Sequence, residues 1–164
     1  PMLKNSDNLY AESMFYQLAA AAGAHPAKAS HARQQVKKTL SRAGVTGQYK
    51  IADGSGLSLY NYVTPELLAK LLIYAYRKSS IIRDLYVSLP IAGEDGTLKK
   101  RMKDGPAHIN VRAKTGTVTG VSSLAGYAVA ANNHMLVFSI INQGIMKADD
   151  GRNFQDKVCN ALCK

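Results

Sequence analysis

Two tripeptides in this sequence combine residue types that can do chemistry together: Ser6-Asp7-Asn8 near the start and Lys114-Thr115-Gly116 past the middle. A lysine ammonium beside hydroxyls on a strand edge can hold a substrate carboxylate. Its positive potential also favours a neighbouring alkoxide or oxyanion. A glycine on that edge leaves it bare of side chain, so that a peptide backbone can lie alongside. Each tripeptide alone has an ordinary reading: Ser-Asp-Asn is a common cluster at a helix entrance, and Lys-Thr-Gly is a strand end with a glycine turn. The four histidines (His25, His31, His108 and His134) lie outside both, so no histidine-based triad is indicated. Cys159 and Cys163 stand four apart on a terminal helix with no histidine near them. That spacing makes a direct bridge awkward and offers no zinc site, so neither metal nor other cofactor is expected.

These residues need elements to position them. A helix is predicted from about Asn8 to Ala24, and a second from Pro26 to about Ala43, with Gly44 ending it. Asp53-Gly54-Ser55-Gly56-Leu57-Ser58 reads as a loop whose glycines permit a tight turn, a structural role rather than a chemical one. Thr64-Pro65-Glu66 is a helix start, with an N-cap threonine and proline at the first helical position, and the apolar residues carry that helix to about Arg77. A short helix follows over Ile81–Leu89, and a basic helical piece runs from the Glu94-Asp95-Gly96 turn through Met102. From there the pattern changes to strands: Asn110–Lys114, Leu124–Ala131 and Met135–Ile141, the last two joined by a hairpin at Asn132-Asn133. A final amphipathic helix spans Asp150–Lys164, with Phe154, Val158 and Leu162 spaced four apart. The fold class is α+β, a layered arrangement of helices and an antiparallel sheet in one domain.

With Ser-x-x-Lys, the two tripeptides make up the motif set of penicillin-binding proteins and serine β-lactamases. The resemblance extends through Asp53–Ser58, Val63-Thr64-Pro65, Gly93–Leu98, Arg101-Met102 and Ala113–Thr117. On these stretches, in this order, the chain resembles the D-alanyl-D-alanine carboxypeptidase/endopeptidase family of penicillin-binding protein 4 type. The resemblance implies the C-terminal part of a transpeptidase-like catalytic domain, with residues 1–164 forming a single partial domain. It also implies the roles of the site residues. Ser6 relays a proton toward the leaving D-Ala nitrogen, Asn8 hydrogen-bonds the substrate carbonyl, and Lys114, Thr115 and Thr117 hold the terminal carboxylate. Gly116 admits the substrate backbone, and the Thr117 amide serves as an oxyanion-hole donor. The implied partners are peptidoglycan stem peptides ending in D-Ala-D-Ala and β-lactam antibiotics, and the implied location is periplasmic or otherwise extracytoplasmic.

The third motif is missing, since no serine in the chain stands three residues before a lysine. The opening Pro1-Met2-Leu3-Lys4 reads as the cut end of something longer, so the nucleophile is expected upstream and the isolated chain is expected to be inactive. In the resembled fold two early strands pair beside the last one. Met135–Ile141 should therefore have its free edge covered by the upstream half or by another copy. A non-catalytic peptidoglycan-binding module is the alternative.

The net charge of +10, from 21 Lys and Arg against 11 Asp and Glu, suits polyanionic surroundings. The basic residues are scattered and no stacking or groove-reading motif accompanies them, which argues against a nucleic-acid partner. The longest apolar run is too short to be a transmembrane segment.

Overall fold

The computed structural model describes residues 1–164 and contains six helices and one three-stranded sheet. The helices are α1 (Met2–Asn5), α2 (Asn8–Ala21), α3 (Ala29–Arg42), α4 (Pro65–Tyr76), α5 (Ser79–Ser88) and α6 (Ala148–Leu162). The strands are β1 (Arg112–Val118), β2 (Val121–Val129) and β3 (Met135–Gln143). Local chemistry sets several boundaries. The Asp7 carboxylate accepts the Tyr10 N–H at the start of α2, and the Thr64 hydroxyl accepts the Leu67 N–H at the start of α4. Each cap satisfies an amide that the helix itself leaves unpaired, worth about 1 kcal/mol.

Three expectations shift. The second helix begins at Ala29 rather than Pro26, and the basic piece after Asp95 is only a single 3-10 turn over Gly96–Leu98. The first strand starts at Arg112 and continues to Val118, with the turn at Gly120, φ +77°. Lys114-Thr115-Gly116 is therefore mid-strand. Asn110, expected inside that strand, instead closes its mouth by accepting the Val129 N–H at 2.7 Å and donating to the Val129 carbonyl at 2.8 Å.

The sheet is antiparallel in the order β1-β2-β3, with Lys114 opposite Ala125, Gly116 opposite Ser123, and Leu124 opposite Ile140. The hairpin at Asn132-Asn133 is as expected, with Asn133 in the left-handed region at φ 62° and the Asn132 side chain accepting the His134 N–H. Alternation along the strands divides the sheet into two faces. On one, Ala113, Leu124, Ala128 and Phe138 pack with Leu98, Val111, Cys159 and Cys163 into the main core. On the other, the Tyr127 ring lies near those of Tyr76 and Tyr86, and its hydroxyl donates to the Leu72 carbonyl. Burial pushes that phenol up to about 12. A smaller core of Phe15, Ala19 and Ala32 joins α2 to α3.

The fully buried row of α6 is Gly151, Gln155 and Cys159, continued by Cys163, rather than Phe154, Val158 and Leu162; Leu162 is partly buried against the same core and Phe154 is 52% exposed. The sheet beneath the first half of α6 is polar, and this turns the helix. Gln155, with no exposed surface, donates to the Ser122 hydroxyl and to the side-chain amide oxygen of Asn142, and accepts from Arg101. The outer edge of β3 pairs with no strand. No helix is long and apolar enough to cross a membrane.

Candidate active site

Ser6 caps the end of α1 in a left-handed conformation, φ 54° and ψ 47°. A residue with a β-carbon held there costs about 1–3 kcal/mol, so the surroundings must hold it. They do so through the loop of residues 93–98. Lys4, two residues before Ser6, pairs with the Asp95 carboxylate, which also accepts the Ile91 N–H at 2.8 Å. Gly96, at φ +54°, lies so close to α1 that a β-carbon would collide with the Lys4 backbone carbonyl. The same loop reaches β1 through the Thr97 hydroxyl, 2.9 Å from that of Thr115. One loop thus fixes the first tripeptide relative to the second. Burial works to raise the Asp95 pKa, but the Lys4 contact and the Ile91 amide outweigh it and leave the carboxyl below its ordinary value.

Across this junction the Lys114 ammonium donates to the Ser6 hydroxyl at 2.6 Å and to the Thr115 carbonyl at 2.5 Å. The contact joins residues 108 apart in sequence. Burial pulls the Lys114 pKa below that of an ordinary lysine, which eases proton exchange with a neighbouring hydroxyl. Asp7 is engaged as the cap of α2. Ser6 and Asn8 are thereby presented on either side of it, and the exposed Asn8 amide makes no hydrogen bond within the chain.

On β1 the Ala113 N–H donates outward to the Pro90 carbonyl. The two-residue period then aims the Thr115 and Thr117 N–H groups at the same outer edge, beyond the point where any neighbouring strand pairs. Gly116 has a reason the sequence did not give. A β-carbon there would stand 2.5 Å from the hydroxyl oxygen of Ser123 on β2, so any side chain at this position would force the Ser123 hydroxyl to turn away.

Two cavities meet at Ser6. The first, about 450 Å³, is lined by Ser6, Asn8 and Lys114 together with apolar side chains of α1, α2 and α3, including Leu3, Met14, Leu18 and Val36. The loop of residues 53–58 forms its far rim, and its residues are engaged structurally. Asp53 accepts the Gly56 and Ser58 N–H groups and the Asn61 amide, while Gly54 packs so tightly on α2 that a β-carbon would stand 2.5 Å from the Phe15 β-carbon. The second cavity, about 610 Å³, has no apolar residue in its lining and contains Ser6, Thr97, Thr115 and Thr117.

The structure thus brings five of the six sequence-predicted site residues around one hydroxyl–ammonium contact, with Gly116 on β1 between Thr115 and Thr117. Lys4, Asp95 and Thr97 were missed. Asp95 and Thr97 lie in Gly93–Leu98, one of the stretches carrying the resemblance, while nothing in the sequence singled out Lys4.

Residues 1–163 match the model of the D-Ala-D-Ala carboxypeptidase 3 (S13) family. D-alanyl-D-alanine carboxypeptidase DacB of Haemophilus influenzae is 35% identical over 151 residues, covering 90% of this chain and 31% of that protein. The D-alanyl-D-alanine carboxypeptidase of an Actinomadura species is 38% identical over 153 residues, 88% of this chain and 27% of that one. The crystal structure of penicillin binding protein 4 (dacB) from Haemophilus influenzae superposes with a TM-score of 0.90 at 33% identity, covering 99% of this chain and 38% of that one. A TLA-1 extended-spectrum β-lactamase superposes at 0.70 with 18% identity over 98% of this chain and 60% of that one, a likeness of fold alone. The chain spans about a third of the length of the curated relatives it matches.

Proposed function

The chain belongs to the D-Ala-D-Ala carboxypeptidase 3 (S13) family, and from that membership and the site's geometry we propose that it forms one wall of the catalytic cleft of a serine D-Ala-D-Ala carboxypeptidase/endopeptidase. The enzyme trims peptidoglycan stem peptides outside the cytoplasmic membrane and is acylated by β-lactams. Residues 1–164 are the C-terminal part of the catalytic domain.

The observation that carries this reading is the 2.6 Å contact between the Lys114 ammonium and the Ser6 hydroxyl. A serine supplied from outside these residues attacks the carbonyl carbon between the two D-alanines. The C–N bond breaks, and the serine's proton reaches the departing amine by way of Lys114 and Ser6. Water then hydrolyses the ester. Asn8 holds the substrate carbonyl, Thr115 and Thr117 hold the terminal carboxylate, and the Thr117 N–H donates to the oxyanion. The segment carrying Ser-x-x-Lys enters the 450 Å³ cavity, where apolar side chains lie beside Ser6 and Lys114 with nothing of this chain to cover them.

The test is mass measurement after treatment with penicillin, for the chain alone and with the segment that supplies Ser-x-x-Lys. The chain alone should gain no adduct, and the pair should gain one adduct on that added serine. Labelling of the chain alone that disappears in Ser6→Ala would sink the proposal.

A further inference from the structure

The 610 Å³ cavity beside Thr115 and Thr117 is larger than the terminal carboxylate of a D-alanine needs. Its volume is in the range of pockets that take whole drug-sized ligands. Across it from β1 lie the first turns of α6 and the residues after the 3-10 turn, which contribute Lys100, Arg101, Asp149, Arg152 and Asp156 to the lining. Two of these charges are consumed by the fold. Arg101 gives its fork to Asp156 at 2.6 Å, and also to the Gln155 side chain and the Arg152 carbonyl. Lys100 is exposed and forms no ion pair. Arg152 uses one terminal nitrogen on Asp149 at 2.9 Å, a pair between residues three apart whose aspartate is 78% exposed. Such a pair is worth a few tenths of a kcal/mol at most, and it leaves most of the five guanidinium donors free. The charge left to a ligand on this wall is therefore positive, and it stands across the cavity from the strand edge.

We propose that this cavity seats the leaving half of the substrate, and that Arg152, with Lys100 beside it, binds a second carboxylate on a leaving residue longer than D-alanine. The inference rests on the reading that Thr115 and Thr117 hold the substrate's terminal carboxylate. Arg152 is then a residue that sets specificity, because it selects what lies beyond the scissile bond. A guanidinium fork matches a carboxylate in plane, and Asp149 tempers it by competing for the same group.

The experiment titrates the isotope-labelled chain, by amide NMR, with three peptides: N-acetyl-D-Ala-D-Ala, N-acetyl-D-Ala-D-Glu and its neutral isostere N-acetyl-D-Ala-D-Gln. The D-Glu peptide should bind about fivefold more tightly than the D-Gln peptide, the preference an exposed charge pair allows. Arg152→Gln should remove that preference while leaving the D-Gln affinity in place. Asp149→Asn, which frees the fork, should enlarge it. These opposite directions separate charge recognition from loss of folding. Equal binding of D-Glu and D-Gln with shifts at Ser6 and Thr115 overturns this inference and leaves the functional reading standing. A preference that survives in Arg152→Gln overturns it too. No shift at Ser6 or Thr115 with any of the three peptides overturns both.

Discussion

The two faces of the sheet are completed in different ways. Beneath Gln155 and Cys159 of α6 everything is supplied from within the chain. Leu124, Ala113 and Cys159 have no exposed surface, and the buried amide of Gln155 finds partners in Ser122, Asn142 and Arg101. The Cys159 thiol is pushed up to about 12, by burial first and by Asp156 second, so it behaves as packing rather than as a nucleophile. On the opposite face Lys114 reaches Ser6 at the rim of a cavity whose apolar lining the chain does not fill. The part of the sheet beneath Gln155 and Cys159 has the character of a core, and the Lys114 side that of a binding surface. Substitutions in the first should read out in stability, and those in the second in titration and ligand binding.

Leu124→Ala tests the first half of that contrast and carries the largest expected effect. Removing a fully buried leucine side chain between β2 and α6 should cost about 3 kcal/mol in chemical denaturation. The Lys114 titration, followed by NMR of its side chain, should be unchanged below the transition. A shifted Lys114 titration in this variant would mean that the two faces are coupled and the contrast is wrong.

Lys114→Met tests the second half and should behave in the opposite sense. Burial lowers the Lys114 pKa, so keeping the side chain protonated in the folded state costs free energy. That cost is fully present below the lowered folded value. It disappears as pH rises from there to the ordinary lysine value of 10.5. Near neutral pH the variant should therefore lie within about 1 kcal/mol of the parent chain, since the apolar side chain avoids the desolvation of the ammonium. Toward pH 10 the parent should gain on the variant. A pH-independent difference in denaturation midpoint would show that Lys114 titrates like a solvated lysine.

How far the sequence spoke for itself follows the same division. Features set by neighbours along the chain were legible: the Thr64-Pro65 helix start, the Asn132-Asn133 hairpin and the Ser-Asp-Asn cluster at the entrance of a helix. The two tripeptides were legible through their family resemblance, and the structure brings them into contact. The orientation of α6 was not, because it depends on Ser122 and Asn142, two polar residues on strands that the helix meets only in the folded state. The close approach of the Ser123 hydroxyl to Gly116 was also hidden, since it comes from across the sheet. Lys4, Asp95 and Thr97 carry no local signature at all, because they act through contacts between segments about 20 to 90 residues apart.

Asp95→Asn probes the smallest and most specific link, the clasp between the 93–98 loop and α1. Asparagine keeps an oxygen to accept the Ile91 N–H, so the substitution removes the ion pair to Lys4 and little else. Asp95 is 40% exposed, so solvent screens the pair and the expected loss at neutral pH is about 0.5 kcal/mol. The sign of its pH dependence is the same as that of Lys114, because both folded pKa values lie below the ordinary ones, but it acts in acid rather than in base. The folded Asp95 pKa lies below the ordinary 3.8, so its stabilisation is present above that value and is lost as pH falls through the lowered folded one. The variant and the parent should therefore converge in acid. The sharper readout is local. Ser6 is held in a left-handed conformation two residues from Lys4, so loosening the clasp should move the Ser6 amide resonance and shift the Lys114 titration. Lys4→Asp combined with Asp95→Lys should restore both. If stability falls but Ser6 and Lys114 do not respond, the pair only staples a loop, and the strained serine is held by Gly96 and the α1 backbone alone.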